Sequence, residues 1–332
     1  MKKINEFQKI KMFIKSANLH FNEVETTFNN YVEIFNSRNL FKSSNSKLNH
    51  IINNHYSIFF YMIYIALDFN KKERIFFGLL NNCFRLLVTG ADNLLDADDN
   101  HYLKYNHIKK SAIMKSVFDL PLAEKIISTI LYDFCFNEKL FDREMYIEFQ
   151  KKIFDILAEV GINESEEYQK KQFYFSADRI INEVHHIKSG KLFTLPFAIP
   201  KFYFGGQNKK LNEVERAIYD FGIGVQIIDD LTDIIEDFTE KKPNYFIALV
   251  NQSKKIDVLK KTIEIEGIDI ENKFFCDYFF EALKTSKNYI TPALRKLQDL
   301  FDGFDEYFFD TIVKLVFRKL KAIELYEYYK KI

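Results

Sequence analysis

Tryptophan is absent from this 332-residue chain, and glycine (10), proline (5) and cysteine (3) are scarce. Few turn formers mean few sharp chain reversals, which disfavours a sandwich or barrel of short strands. Three isolated cysteines, Cys83, Cys135 and Cys276, form no CxxC pair and no disulfide framework. They suit a reducing, cytoplasmic setting. Net charge is also missing: 47 basic residues balance 47 acidic ones. That argues against a broad nucleic-acid surface, so any anion site must be local. Long apolar runs are lacking too. The longest, Tyr56 to Leu67, is too short for the roughly 20 residues of a membrane-spanning helix. Residues 1–16 scatter Lys and Glu among apolar positions and do not read as a signal peptide.

What is present is apolar residues at helical spacing, which predict a wholly α-helical chain. Helices are expected over about 50–68, 73–98, 112–135, 144–159, 165–188, 211–238, 255–265, 273–286, 292–300 and 305–330. Breaks are expected at Pro121, Gly161, Lys188-Ser189-Gly190, Gly205-Gly206 and Lys241-Lys242-Pro243-Asn244. No repeat and no low-complexity linker is visible. A single domain over 1–332 is expected, with 1–45 as accessory N-terminal helices and 46–332 as the functional bundle. Phe (36) and Tyr (19) are abundant, as are Asn, Ile and Lys, a bias that AT-rich codons explain and that a central aromatic-lined cavity could exploit.

Two acidic clusters stand out on these helices. The second runs Gln226-Ile227-Ile228-Asp229-Asp230-Leu231-Thr232-Asp233, with Glu236 and Asp237 beyond. Asp229, Asp233 and Asp237 recur every fourth residue, which aligns them in one stripe about 6 Å apart along the axis. A solvated face would intersperse Lys or Arg, yet no basic residue occurs from Phe221 to Glu240. Uncompensated carboxylates in an apolar setting call for a cation. The first cluster is similar: Asp92, Asp96 and Asp99 share a face, while Asp98 points elsewhere. Oxygen donors of this kind suit Mg²⁺, which in turn binds phosphates.

The segment Phe221-Gly222-Ile223-Gly224-Val225-Gln226-Ile227-Ile228-Asp229-Asp230-Leu231-Thr232-Asp233 resembles the second Asp-rich motif of trans-polyprenyl diphosphate synthases. Asp92-Asn93-Leu94-Leu95-Asp96 resembles their first DDxxD motif, with Asn93 in place of the second Asp. His186-Ile187-Lys188-Ser189-Gly190-Lys191-Leu192-Phe193 resembles their Lys-Thr segment, in the family's order. The resemblance covers about 50–250 and is specific for the class I isoprenoid synthases. It implies an isoprenoid-synthase-like helical bundle and a prenyl diphosphate substrate. It implies Mg²⁺ held by Asp92 and Asp96 and by Asp229 and Asp233, and diphosphate contacts from Lys188 and Lys242. It puts Gln226 beside the metal and makes a homodimer possible. Arg179, upstream of Lys188, is a further candidate for the diphosphate.

The sequence also departs from that family. No Gly-Lys-x-x-Arg-Pro segment is evident near the N-terminus. Ala97-Asp98-Asp99-Asn100-His101 stands where the family has Arg-Arg-Gly. A second diphosphate there would meet repulsion rather than bidentate Arg recognition. The expectation is therefore a terpene synthase, a lyase that ionises one prenyl diphosphate and cyclises or quenches the cation. The alternatives are a divergent prenyltransferase and a non-catalytic partner subunit.

Overall fold

A helix over residues 21–34, α1, opens the described part of the fold. The computed structural model describes residues 21–41, 47–95, 101–106, 108, 111–169, 175–265, 270–301 and 304–332. Among the described residues thirteen further α-helices follow in chain order. They are α2 Lys47–Ala66, α3 Lys71–Leu95, α4 Ala112–Phe136, α5 Arg143–Gln169, α6 Ala177–Arg179, α7 Leu192–Tyr203 and α8 Lys209–Thr232. Then come α9 Ile234–Glu240, α10 Tyr245–Gln252, α11 Ile256–Ile265, α12 Cys276–Leu300, α13 Glu306–Lys319 and α14 Ile323–Lys331. A π-helical segment, Ile180–Lys191, joins α6 to α7. Among the described residues no β-strand occurs; one isolated bridge pairs Phe41 with Tyr105. The all-α expectation holds.

Two compact units make up the chain: Met1–Phe154 with Ala198–Tyr203, and Asp155–Phe197 with Phe204–Ile332. In the first, α3 and α4 pack against each other along their length. Abundant phenylalanine fills this core. Phe76 is fully buried, and Phe77, Phe134, Phe141 and Phe149 surround it at ring-centre distances of 5.1–5.5 Å. Burying each such ring contributes about 1.5–3 kcal/mol. Residues 21–34 belong to this core: Phe21, Val24 and Phe28 are buried, and Val24 lies against Gly78 of α3.

In the second unit α8 is the spine, flanked by α12, by the π-helical segment and by α10. Close approach is possible because α8 offers glycine at the contacts. A Cβ at Gly222 would stand 2.6 Å from the Ser189 carbonyl oxygen, and one at Gly224 would stand 2.6 Å from Ile290 Cγ1. Asn208 caps α8 by accepting the Leu211 N–H at 3.0 Å.

Several expected breaks are not breaks. Pro121 lies inside α4, and Pro292 inside α12, which is continuous where two helices were expected. Both prolines are exposed, and so are Val117 and Asn288 one turn earlier, so the carbonyls they leave unbonded can meet water. Gly161 lies within α5 rather than ending it. Gly190 does not stop its helix either: it gives room to the Tyr219 ring, 2.6 Å from where a Cβ would be. Conversely, the long helix expected over 305–330 is two. Lys321 adopts φ 56°, and the Ala322 N–H reaches back to the Phe317 carbonyl at 2.7 Å. The expected ends at Gly205-Gly206, with φ 68° and 70°, and at Lys241, with φ 61°, are present.

Candidate active site

The stripe on α8 and α9 is in place. Asp233 is the joint between the two helices, at φ −105° and ψ 14°. The backbone bonds bridge the joint: Asp233 N–H to the Asp229 carbonyl at 3.2 Å and Asp237 N–H to the Asp233 carbonyl at 2.8 Å. The four-residue spacing therefore survives the bend, and Asp229, Asp233 and Asp237 are all half-buried. Burial pushes the Asp229 carboxyl up to about 7, and the charges of Asp233 and Asp230 push the same way. Asp237 is likewise pushed up to about 7, by burial first and then by Asp230. Asp233 is raised too, chiefly by burial. One cation opposes this at all three positions: Lys188, half-buried on the π-helical segment, favours the ionised forms.

Asp230, one residue on, does the opposite. It turns inward and is 3% exposed. Burial alone would raise its carboxyl. The His185 charge and hydrogen bond, the Tyr245 N–H and Gln226 outweigh burial and hold it below the usual range. Its Oδ2 lies 2.9 Å from His185 Nε2 and accepts the Tyr245 N–H at 2.6 Å. Gln226 spans the two neighbours, donating from Nε2 to Asp229 at 3.1 Å and to Asp230 at 3.2 Å. Its Oε1 accepts a short hydrogen bond from the Ser189 hydroxyl. Asn244 completes the frame, donating to the Asp230 carbonyl at 2.7 Å and to Asp237 Oδ2 at 2.8 Å.

The expected site residues fare differently. Asp229, Asp233, Asp237, Gln226 and Lys188 are brought together. Lys242 pairs with Glu240 at 2.9 Å and Glu236 at 3.6 Å, and its N–H caps the Asp237 carbonyl at 2.9 Å. Arg179 is exposed, forks onto Glu183 through two bonds of 2.8 Å and lies over the Phe175 ring. In the first unit Asp92 is exposed near the end of α3. Asp96 and Asp99 lie outside the described residues. Asn93 is buried, with its amide 3.4 Å from His101 Nδ1.

The sequence pattern assigns no role in the site to Asp230, Ser189, Asn244 or His185. The available signal was positional. Adjacent helix residues point about 100° apart, so an Asp beside a stripe residue must face elsewhere. His185 and His186 do diverge, the first to Asp230 and the second to the Tyr219 hydroxyl.

Among the described residues no group of three His, Cys, Asp or Glu converges as a ready-made metal site. The donor chemistry nevertheless fits a hard divalent cation. It is all oxygen, and its carboxyls carry a repulsion that such a cation would relieve.

Solved structures of similar fold identify the architecture. Heptaprenyl diphosphate synthase from Staphylococcus aureus matches with a TM-score of 0.59 at 16% identity, over 92% of this chain and 98% of that one. Geranylgeranyl pyrophosphate synthetase from the archaeon Geoglobus acetivorans matches at 0.53 with 19% identity, over 96% and 98%. A polyprenyl synthase from Caulobacter crescentus, solved with calcium and isoprenyl diphosphate, matches at 0.51 with 11% identity, over 96% and 97%. No family model and no curated protein matches the sequence. The chain thus has the class I isoprenoid synthase fold, shared with trans-prenyl diphosphate synthases. Among the described residues no helix is long and apolar enough to cross a membrane.

Proposed function

We propose that this chain is a Mg²⁺-dependent class I isoprenoid synthase acting on a prenyl diphosphate, with a reaction closest to that of the trans-prenyltransferases. The observation that carries the reading is the half-buried stripe Asp229, Asp233 and Asp237 with Lys188 beside it. Those three carboxylates would hold Mg²⁺ on the second cluster, and Asp92, Asp96 and Asp99 on the first. Bound Mg²⁺ would supply Lewis-acid neutralisation of the departing diphosphate. Lys188 adds a fixed positive charge for the same leaving group, and Lys242 and Arg179 are its candidate helpers. Gln226, pinned by Ser189, orients Asp229. The allylic cation left behind requires dry, aromatic surroundings. A homodimer in the cytoplasm is part of this reading.

The names of the similar structures support the prenyltransferase form. A second reading, a terpene synthase, is favoured by Ala97-Asp98-Asp99-Asn100, acidic and polar where a second diphosphate would need cations. Incubation with Mg²⁺ and geranyl, farnesyl or geranylgeranyl diphosphate, with and without isopentenyl diphosphate, separates them by mass spectrometry. A longer diphosphate formed only with isopentenyl diphosphate supports the prenyltransferase. A hydrocarbon or alcohol formed without it supports the terpene synthase. No pyrophosphate release under any condition overturns both and leaves a non-catalytic partner subunit.

A further inference from the structure

The second residues of the two acidic clusters behave alike. Asn93 follows Asp92, and Asp230 follows Asp229. Both are 3% exposed, and each meets a histidine whose side chain is 3% exposed or less: Asp230 at 2.9 Å from His185, Asn93 at 3.4 Å from His101. The charge is distributed differently. In the second cluster the carboxylate sits on the helix that carries the stripe. In the first that position is neutral, and the carboxylate comes from Asp119 on α4.

Asp119 is 1% exposed, and its Oδ2 lies 2.8 Å from His101 Nδ1. Tyr105 donates its hydroxyl to the other oxygen at 2.5 Å. A carboxylate at that distance requires the proton on Nδ1, so Asn93 bonds the same N–H with its amide oxygen turned to the ring, a neutral second acceptor beside Asp119. The helices touch here: a Cβ on Gly90 of α3 would stand 3.2 Å from the Asp119 Cβ. An Asp at 93 would set two carboxylates against one histidine in a sealed place, where like charges repel strongly.

We propose that Asn93 is a positioning residue rather than a degraded metal ligand, and that Asp119, through His101, supplies to the first cluster the carboxylate that Asp230 supplies to the second. The anchor fixes the rotation of the last turn of α3 and so the direction in which Asp92 points. That last step rests on the proposed function, in which Asp92 is a metal ligand.

The test is a charge swap: Asn93→Asp, Asp119→Asn and the double variant, beside the parent. Thermal unfolding and calorimetric binding of inorganic pyrophosphate with Mg²⁺ are measured for each. Each single substitution is expected to lower Tm by about 4 °C or more and to weaken pyrophosphate binding about tenfold. The double variant, which moves the carboxylate from 119 to 93 against the same histidine, is expected to recover most of both. A single variant that fails to fold while the double variant folds gives the same answer. Asn93→Asp with unchanged Tm or tighter pyrophosphate binding would overturn the proposal in favour of a ligand at 93. A double variant no better than the worse single would also overturn it. If the parent binds no pyrophosphate, the proposed function fails, and the Tm cycle still decides whether the anchor exists.

Discussion

The imidazole of His185 meets the carboxylate of Asp230 at 2.9 Å, with neither side chain more than 4% exposed. The pair ties the π-helical segment to the end of α8, and the Tyr245 N–H brings the start of α10 to the same oxygen. His185→Ala would leave a buried carboxylate short of its main partner. Such a change is expected to destabilise by about 3–5 kcal/mol, read by denaturant unfolding. A loss below about 1 kcal/mol, the size of an exposed pair, would show that the pair is not sealed as described.

Asp229→Ala removes a stripe carboxylate that burial and its neighbours already hold protonated up to about pH 7. Mg²⁺-dependent pyrophosphate release should disappear while the far-ultraviolet spectrum and cooperative unfolding remain. Asp92→Ala should behave the same way. Activity retained in both variants would remove the metal assignment.

Lys188→Ala should act on substrate binding more than on folding, since its ammonium faces carboxylates instead of the core. A rise in KM of about tenfold or more is expected, on the scale of one charge-assisted contact. An unchanged substrate dependence would return Lys188 to the ordinary role of a basic residue late in a helix.

The pH dependence has a definite sign. An Asp229 carboxyl at about 7 in the folded chain stands above its ordinary value of 3.8. Between those values the folded state keeps a proton that the unfolded state has released, so stability falls as pH rises. Below about 4 this destabilisation is absent, and above about 7 it is complete. Asp229→Asn should therefore gain stability over the parent progressively from about pH 4 to 7. Added Mg²⁺ should narrow that gap by stabilising the parent. A gap that is constant with pH would contradict the raised carboxyl.

The second acidic cluster was legible because its signal is local. Asp229, Asp233 and Asp237 sit a turn apart in an apolar helix with no basic residue nearby, and the bend at Asp233 does not disturb that spacing. The ends of helices were legible at Gly205-Gly206 and at the Lys-Lys-Pro run, whereas Gly161 and Gly190 lie inside helices and serve packing or nothing local. The end at Lys321 was not legible, because lysine carries no signature of a left-handed conformation. Pro121 and Pro292 misled for the opposite reason, since a proline on the wet side of a helix loses a hydrogen bond that water replaces. Asp119, His101 and Asn93 could not be grouped from sequence. Their contact depends on α3 and α4 lying side by side, and a lone Asp among apolar residues says nothing of its partner.

Gly222→Ala and Gly224→Ala test the packing of the α8 spine. Each added methyl would land 2.6–2.9 Å from a carbonyl oxygen, of Ser189 at the first and Ser286 at the second. Both should destabilise by about 1–3 kcal/mol, although alanine is the better helix former. Equal or greater stability than the parent, by thermal unfolding, would mean the helices can separate freely.

The π-helical segment Ile180–Lys191 has a consequence for how this site can change. Each of its turns holds an extra residue relative to an α-helix, so the segment is a store of length as well as a connector. Lys188 and Ser189 hang from its far end. Deleting Asn182 would let the backbone relax toward ordinary α geometry with every named side chain still in the sequence. The lysine and the serine would then swing to another face, out of line with Asp229 and Gln226. Substitutions here act one side chain at a time, whereas a single-residue change in length would misalign the cationic side of the site in one step.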